Sequence, residues 1–327
     1  MAPLGRLCGV LALCGGFPLE PHEDTWIVAV GASRYFANYR HASNVHVVGR
    51  IASRLGVPQE RVLMLHAERA GCDARNPLRG SMYGVAGDHR DARRNLLLDA
   101  DGCYVDAYGW SGDSVTPRAL LDLLAGRHEP DAPRRRRLDS GPRSNVLVYL
   151  TGHGGDQFLK FHDSAELSAD DLAAAVAEMH AKRRYRRLAF VLDTCQAGSL
   201  FEKLESPNVF AIASAKLGEN AYASSPDSHI GVSLADRFTE HLAYFFEREL
   251  DRLPDGELFN ATFGDLTRRL ERAPTRSTLN VKSTASTDDW PEELLRDFWG
   301  SPASLRLSEW PPLDADEYDQ DSRSRSS

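Results

Sequence analysis

Residues 145–156 read NVLVYLTGHGGD and residues 188–198 read LAFVLDTCQAG. Each opens with an unbroken apolar, β-branched run that stops at small and polar residues. Such a run, bounded by glycine, reads as a strand buried on both faces. Between the two lies a helical stretch, Ser168–Met179, with Ser168 as its N-cap and Asp170 and Asp171 in its first turn. A strand, a helix and a second strand form a βαβ unit, which makes the two strands parallel neighbours. Outward from this unit the same kinds of run recur. Thr25–Val30 (TWIVAV), Arg61–Leu65 (RVLML) and Val209–Ala213 (VFAIA) read as strands. Helical spacing covers 42–55, with Val45, Val48, Ile51 and Leu55 on one stripe, and Gly56 and Pro58 end it. Thr116-Pro117 opens another helix as cap and first position, and Ser233–Phe246 reads as an amphipathic helix. The stretches from Ala67 to Arg94 and from Arg127 to Ser144 read as loops, and the arginine run Arg134–Arg137 as a solvated part of the second. Alternating strands and helices predict an α/β domain with a mostly parallel sheet and helices on both faces.

The chain has 327 residues, 42% hydrophobic and 26% charged, which excludes wholesale disorder. Its net charge is −8 and its pI about 5.8, so no global field draws it to nucleic acid. Mean hydropathy is −0.40 and no apolar run is long enough to span a bilayer, so no transmembrane helix is predicted. Five cysteines, widely scattered, fit neither a disulfide scaffold nor a CxxC metal site. Arg6 followed by the apolar stretch Leu7–Leu13 outlines a signal peptide over residues 1–19. A single folded domain is expected over 24–306. Residues 311–327, with Asp314, Asp316, Glu317, Asp319 and Asp321 before a Ser/Arg stretch, are expected to form a disordered tail.

In open parallel sheets, ligands bind beyond the carboxyl ends of the strands. Gly152-His153-Gly154-Gly155-Asp156 follows one strand end and Asp193-Thr194-Cys195-Gln196 follows the other. Adjacent strands lie about 4.8 Å apart, so His153 and Cys195 can meet across the tip of the sheet. A thiol within reach of an imidazole is a nucleophile with a general base, and the thiolate forms readily near neutral pH. The glycines around His153 let a substrate backbone come close and leave an N–H such as that of Gly154 to face a developing oxyanion. Other readings remain. GHGGD is a weak phosphate loop because the GK[ST] ending is missing. His153, Asp193 and Cys195 could ligate zinc, but no fourth ligand stands at suitable spacing. A strand-end cysteine can also be simple packing.

These residues resemble a known family. HGG after one strand, DTC after the next and one helical connection between them form the pattern of caspase-like cysteine peptidases, legumain among them. The surrounding text is more specific. TGHGGDQFLKF (Thr151–Phe161), KRRYRRLAFVLDTCQAGSLFEKL (Lys182–Leu204), IGVSLADRFT (Ile230–Thr239), SRYFANYRH (Ser33–His41) and CDARNP (Cys72–Pro77) are similar to the catalytic subunits of glycosylphosphatidylinositol (GPI) transamidases. The resemblance runs from about Asp24 to Leu305. It implies a caspase-like fold and cleavage of a C-terminal GPI-attachment signal through a thioester on Cys195. The ethanolamine-phosphate amine of the GPI lipid would then resolve that thioester. It implies Cys195 and His153 as catalytic residues, Asn38 as the group that orients the histidine, Gly154 at the oxyanion and Ser214 in the substrate pocket, where Ala213 and Ala215 flank it. It implies Cys72 as an inter-subunit disulfide cysteine. It also implies a divalent-cation site, calcium by the chemistry of its acidic ligands, to which Asp106 contributes, although Tyr104 stands where a glutamate is expected. No cofactor is required for the chemistry itself. The implied partners are membrane-embedded and lumenal subunits of the transamidase complex, precursor proteins and the GPI lipid, with no nucleic acid. The implied place is the endoplasmic reticulum lumen, with the chain held at the membrane by its partners. The competing readings are a soluble legumain-like or caspase-like endopeptidase and an inactive scaffold subunit.

Overall fold

The computed structural model of the chain describes residues 24–84, 94–95, 109–254, 257–285 and 289–300. The expected signal peptide, Asp106, Tyr104 and the expected tail lie outside the described residues.

Twelve strands are described: β1 (Thr25–Gly31), β2 (Val62–His66), β3 (Tyr83–Gly84), β4 (Arg94–Asn95), β5 (Gly109–Ser111), β6 (Asn145–Thr151), β7 (His153–Gly155), β8 (Phe158–Phe161), β9 (Ala165–Ser168), β10 (Arg187–Asp193), β11 (Val209–Ala213) and β12 (Asn280–Ser283). The helices are α1 (Tyr39–Arg54), α2 (Pro117–Ala125), α3 (Ala169–Ala181), α4 (Arg237–Asp251), α5 (Phe263–Glu271) and α6 (Arg296–Trp299). Seven strands form the main sheet in the order β12-β11-β10-β6-β1-β2-β5. Every pairing in it is parallel except that of β12 with β11. This is the α/β, mostly parallel architecture expected from the runs.

The continuous apolar runs are explained by burial on both faces. In β6, Val146, Val148 and Leu150 enter one core with Leu120 and Leu124 of α2 and Leu172 and Val176 of α3. The alternate residues Leu147 and Tyr149 enter the other core, with Val48 and Ile51 of α1, Phe238 and Leu242 of α4 and Trp299 of α6. The period of two thus sorts one strand into two cores. Each large apolar side chain buried this way contributes roughly 1.5–3 kcal/mol. The caps read from sequence are present: Thr116 accepts from Ala119 N–H, and Ser168 from Asp171 N–H.

Two elements differ from expectation. The helix expected over Ser233–Phe246 begins at Arg237, because Ser233 and Asp236 instead form antiparallel bridges with Pro226 and Ala223. His153-Gly154-Gly155, to which the sequence reading assigns no element, is strand β7 of a small antiparallel sheet with β8 and β9. Glycine carries no strand propensity, so the register of this hairpin comes from Phe158–Phe161, whose Leu159 and Phe161 are buried.

Candidate active site

Three neighbouring strands deliver the three candidate residues to one edge of the sheet. Thr151 of β6 stands level with Gly31 of β1 and with Asp193 of β10. His153 and Cys195 each lie two residues past these level positions. Asn38 follows β1 through a short 3-10 turn, Phe36–Asn38, and sits at the N-cap of α1.

Asn38 makes no capping hydrogen bond with its side chain. Its Nδ2 donates to the carbonyl of Arg34 at 2.6 Å, which turns Oδ1 toward His153. An amide oxygen only accepts, so the 2.9 Å contact places a proton on His153 Nε2. Nδ1 is then the unprotonated nitrogen and can take a thiol proton. Behind the ring, the buried His41 packs edge-on, centroid to centroid at 5.1 Å. Desolvation first, and then the Arg40 guanidinium, pull the His153 pKa below the ordinary histidine value, so the imidazole is neutral near pH 7. Asn38→Ala is expected to cut turnover by about 10- to 100-fold without abolishing it, because the base survives and loses only its orientation. An unchanged kcat in the variant would move the orienting role elsewhere.

Cys195 is half-buried and a free thiol, and its Sγ donates weakly to the carbonyl of Ala221 at 3.9 Å. The residue after it, Gln196, is in the left-handed region at φ 53°, an uncommon setting for a residue with a side chain. Gly154 lies against this turn. A Cβ on it would stand 2.5 Å from Thr194 Oγ1, 3.0 Å from the Phe158 carbonyl oxygen and 3.1 Å from that of Cys195. Only glycine fits there.

Ser214 does not face an open pocket. It is buried, its Oγ donates to the carbonyl of Thr194 and accepts from the Thr194 N–H, both at 3.3 Å. Both contacts brace the residue before Cys195. Cys72 is disulfide-bonded. An inter-subunit bridge through Cys72 would have to replace that bond. Among the described residues, no group of three or more His, Cys, Asp or Glu side chains could hold a metal ion. No described helix is long and apolar enough to cross a membrane.

Sequence reasoning missed a buried carboxylate pair behind the site. Asp236 is at the N-cap of α4, a position where aspartate reads as an ordinary cap. Its carboxylate instead accepts from Arg40 Nε at 2.9 Å and Asn44 Nδ2 at 2.8 Å, tying α4 to α1. Asp193 Oδ2 accepts from the N–H and the hydroxyl of Thr239 at 3.1 and 2.6 Å, and its Oδ1 has no hydrogen-bond partner. Burial first, and then the Asp236 carboxylate, raise the Asp193 pKa well above the usual carboxylate range. Burial also raises Asp236, against the pull of Arg40. A raised carboxyl pKa favours the folded state below the ordinary value of about 3.9, and that contribution is lost as pH climbs through the raised value. Asp193→Asn, which mimics the protonated form, should therefore gain thermal stability relative to the parent as pH rises from about 4 to 8. A melting-temperature difference that stays flat across that range would rule this out.

The chain is similar to several known proteins. The Peptidase C13 family matches residues 25–253. A GPI-anchor transamidase of Schizosaccharomyces pombe is 35% identical over 286 residues, 88% of this chain and 72% of that protein. A GPI-anchor transamidase of Bos taurus is 36% identical over 287 residues, 88% of this chain and 69% of that protein. One of Mus musculus is 40% identical over 226 residues, 69% of this chain and 55% of that protein. Among solved structures, caspase-1 from Spodoptera frugiperda is similar over 86% of this chain and 93% of that chain, at 9% identity and a TM-score of 0.45. With the family matched across the whole segment that carries Asn38, His153 and Cys195, the chain belongs to the peptidase C13 family of cysteine peptidases.

Proposed function

We propose that this chain is the catalytic subunit of a GPI-anchor transamidase. The observation that carries the reading is the convergence of Asn38, His153 and Cys195 at adjacent strand ends, in a chain 35–40% identical to GPI-anchor transamidases. In this reading His153 Nδ1 takes the Cys195 proton, and the thiolate attacks the carbonyl at the cleavage site of a precursor's C-terminal signal. The tetrahedral oxyanion collapses and expels the signal's amine, which receives the proton from His153. That leaves the new C-terminus as a thioester on Cys195. The ethanolamine-phosphate amine of a GPI lipid then attacks, His153 accepts its proton, and the amide forms as the thiolate leaves.

Amine transfer needs water kept from the thioester, a task suited to partner subunits closing over the open strand ends. The proposed partners are the membrane-embedded and lumenal subunits of the transamidase complex, and the proposed place is the endoplasmic reticulum lumen. A disulfide at Cys72 suits that oxidising compartment.

The test supplies the full chain to cells that lack their own catalytic subunit and follows a reporter with a C-terminal GPI signal. Lipid-linked reporter should appear, and with a small-amine competitor part of the product should carry that amine. Reporter that is cleaved but carries only a free carboxylate identifies an endopeptidase. Uncleaved reporter, with no labelling of Cys195 by electrophiles, identifies a scaffold.

A further inference from the structure

The left-handed turn directly after Cys195 is bonded to the loop 215–219. Gln196, at φ 53°, donates its N–H to the carbonyl of Glu219 at 2.9 Å. Its side-chain Oε1 accepts the N–H of Gly218 at 3.1 Å, so turn and loop are bonded in both directions. Glu219 is fixed in its turn. Oε2 accepts the N–H of Lys216 at 3.1 Å and the N–H of Thr278 at 2.8 Å, while Oε1 accepts the Thr278 hydroxyl at 2.8 Å. The same loop carries Ala221, whose carbonyl receives the Cys195 thiol. Thr278 precedes β12, the antiparallel edge strand, so the sheet edge anchors the assembly.

We infer that Glu219 is a positioning residue for Cys195: by clamping residues 216–219 to Thr278, it holds Gln196 in its left-handed turn and aims the thiol. The inference rests on Cys195 being the nucleophile and is independent of which acceptor resolves the acyl group. The physical case is one of strain. A left-handed residue with a side chain relaxes unless its surroundings over-determine it. Here two hydrogen bonds tie Gln196 to residues 218–219, and a carboxylate that accepts three hydrogen bonds, one from Lys216 and two from Thr278, holds the loop that supplies them. The Thr278 N–H and the other donors keep the Glu219 carboxyl below the usual glutamate range, so the clamp is ionised at neutral pH. In sequence, Gly218-Glu219-Asn220 reads only as a polar turn.

The test uses the full chain and measures two quantities: the rate constant for alkylation of Cys195 by iodoacetamide across pH, and kcat and KM for reporter processing in the complemented system. Glu219→Ala should lower kcat by about 10- to 100-fold with KM within about twofold, as for a displaced reacting group. The rate constant for alkylation of Cys195 should fall in the same variant, as the thiol loses its alignment with His153. Glu219→Gln keeps an acceptor oxygen for Thr278 and should recover most of the rate. Thr278→Val removes one donor only and should give a smaller loss in the same direction, which decides the matter if Glu219→Ala does not fold. Wild-type kcat and alkylation profile in a folded Glu219→Ala overturn the inference. So does a folded Glu219→Gln as impaired as the alanine variant, or a Thr278→Val that behaves as wild type when Glu219→Ala fails to fold. Loss of alkylation control by Glu219→Ala without any amine transfer in the parent would leave the clamp standing and remove the transamidase reading.

Discussion

Cys195→Ala is expected to leave no measurable acyl transfer, a fall on the order of 10⁶ in kcat, as when a nucleophile that acts with its base as one unit is removed. The fold should survive. Cys195 is only half-buried and its thiol makes a long sulfur contact with the Ala221 carbonyl, so the substitution costs little packing. His153→Ala should fail as completely. The double variant should be no worse than either single one, because each removes the same step. His153 is exposed and contributes one hydrogen bond to Asn38, so its loss should also leave melting nearly unchanged. The checks are reporter processing, electrophile labelling of the thiol and thermal melting. Wild-type processing by either single variant would end the assignment of the pair.

Gly154→Ala should have the next largest effect. The added methyl group must enter a space already bounded by Thr194 Oγ1 at 2.5 Å and by the carbonyl oxygens of Phe158 and Cys195 at 3.0 and 3.1 Å. The two carbonyls belong to the backbone and cannot rotate away, and Thr194 is buried with a stiff β-branched χ1. Strand β7 must therefore move back from the nucleophile turn, carrying His153 with it. A shift near 1 Å in a reacting group costs about 10²-fold in rate, and overpacking of this kind costs roughly 1–3 kcal/mol of stability. Gly141→Ala is the control, since nothing lies within 4 Å of a Cβ there. Equal kcat and melting temperature in Gly154→Ala and its parent would show that β7 has slack and that the glycine is not required by the close approach.

The parallel sheet was legible in the chain because burial on both faces demands it. NVLVYLT and LAFVLD have no polar alternation, and a run of that kind has few other stable uses. Cys195 and His153 were legible for a related reason: both stand two residues past a strand end, and strand ends of parallel sheets are where chemistry is placed. Their level positions, Thr151 beside Asp193, follow from the register that hydrophobic burial imposes. Asn38 became visible only through family resemblance, since by itself it reads as a turn residue. Its contact with His153 depends on Arg34 drawing off the amide nitrogen.

What the chain alone left open depends on contacts between residues far apart in sequence. Asp236 and Glu219 have the local signatures of a helix cap and a turn. Their carboxylates were claimed by Arg40 and Asn44 in one case and by Thr278 in the other, partners that only folding brings near. Ser214 follows a strand end in the chain, but the contacts of its hydroxyl with the Thr194 backbone exist only once β11 lies beside β10. Hydrophobic periodicity is a local property of the chain and survives without its surroundings. The partner of a polar side chain is not local, because a buried donor or acceptor takes whichever complementary group the tertiary structure sets within reach.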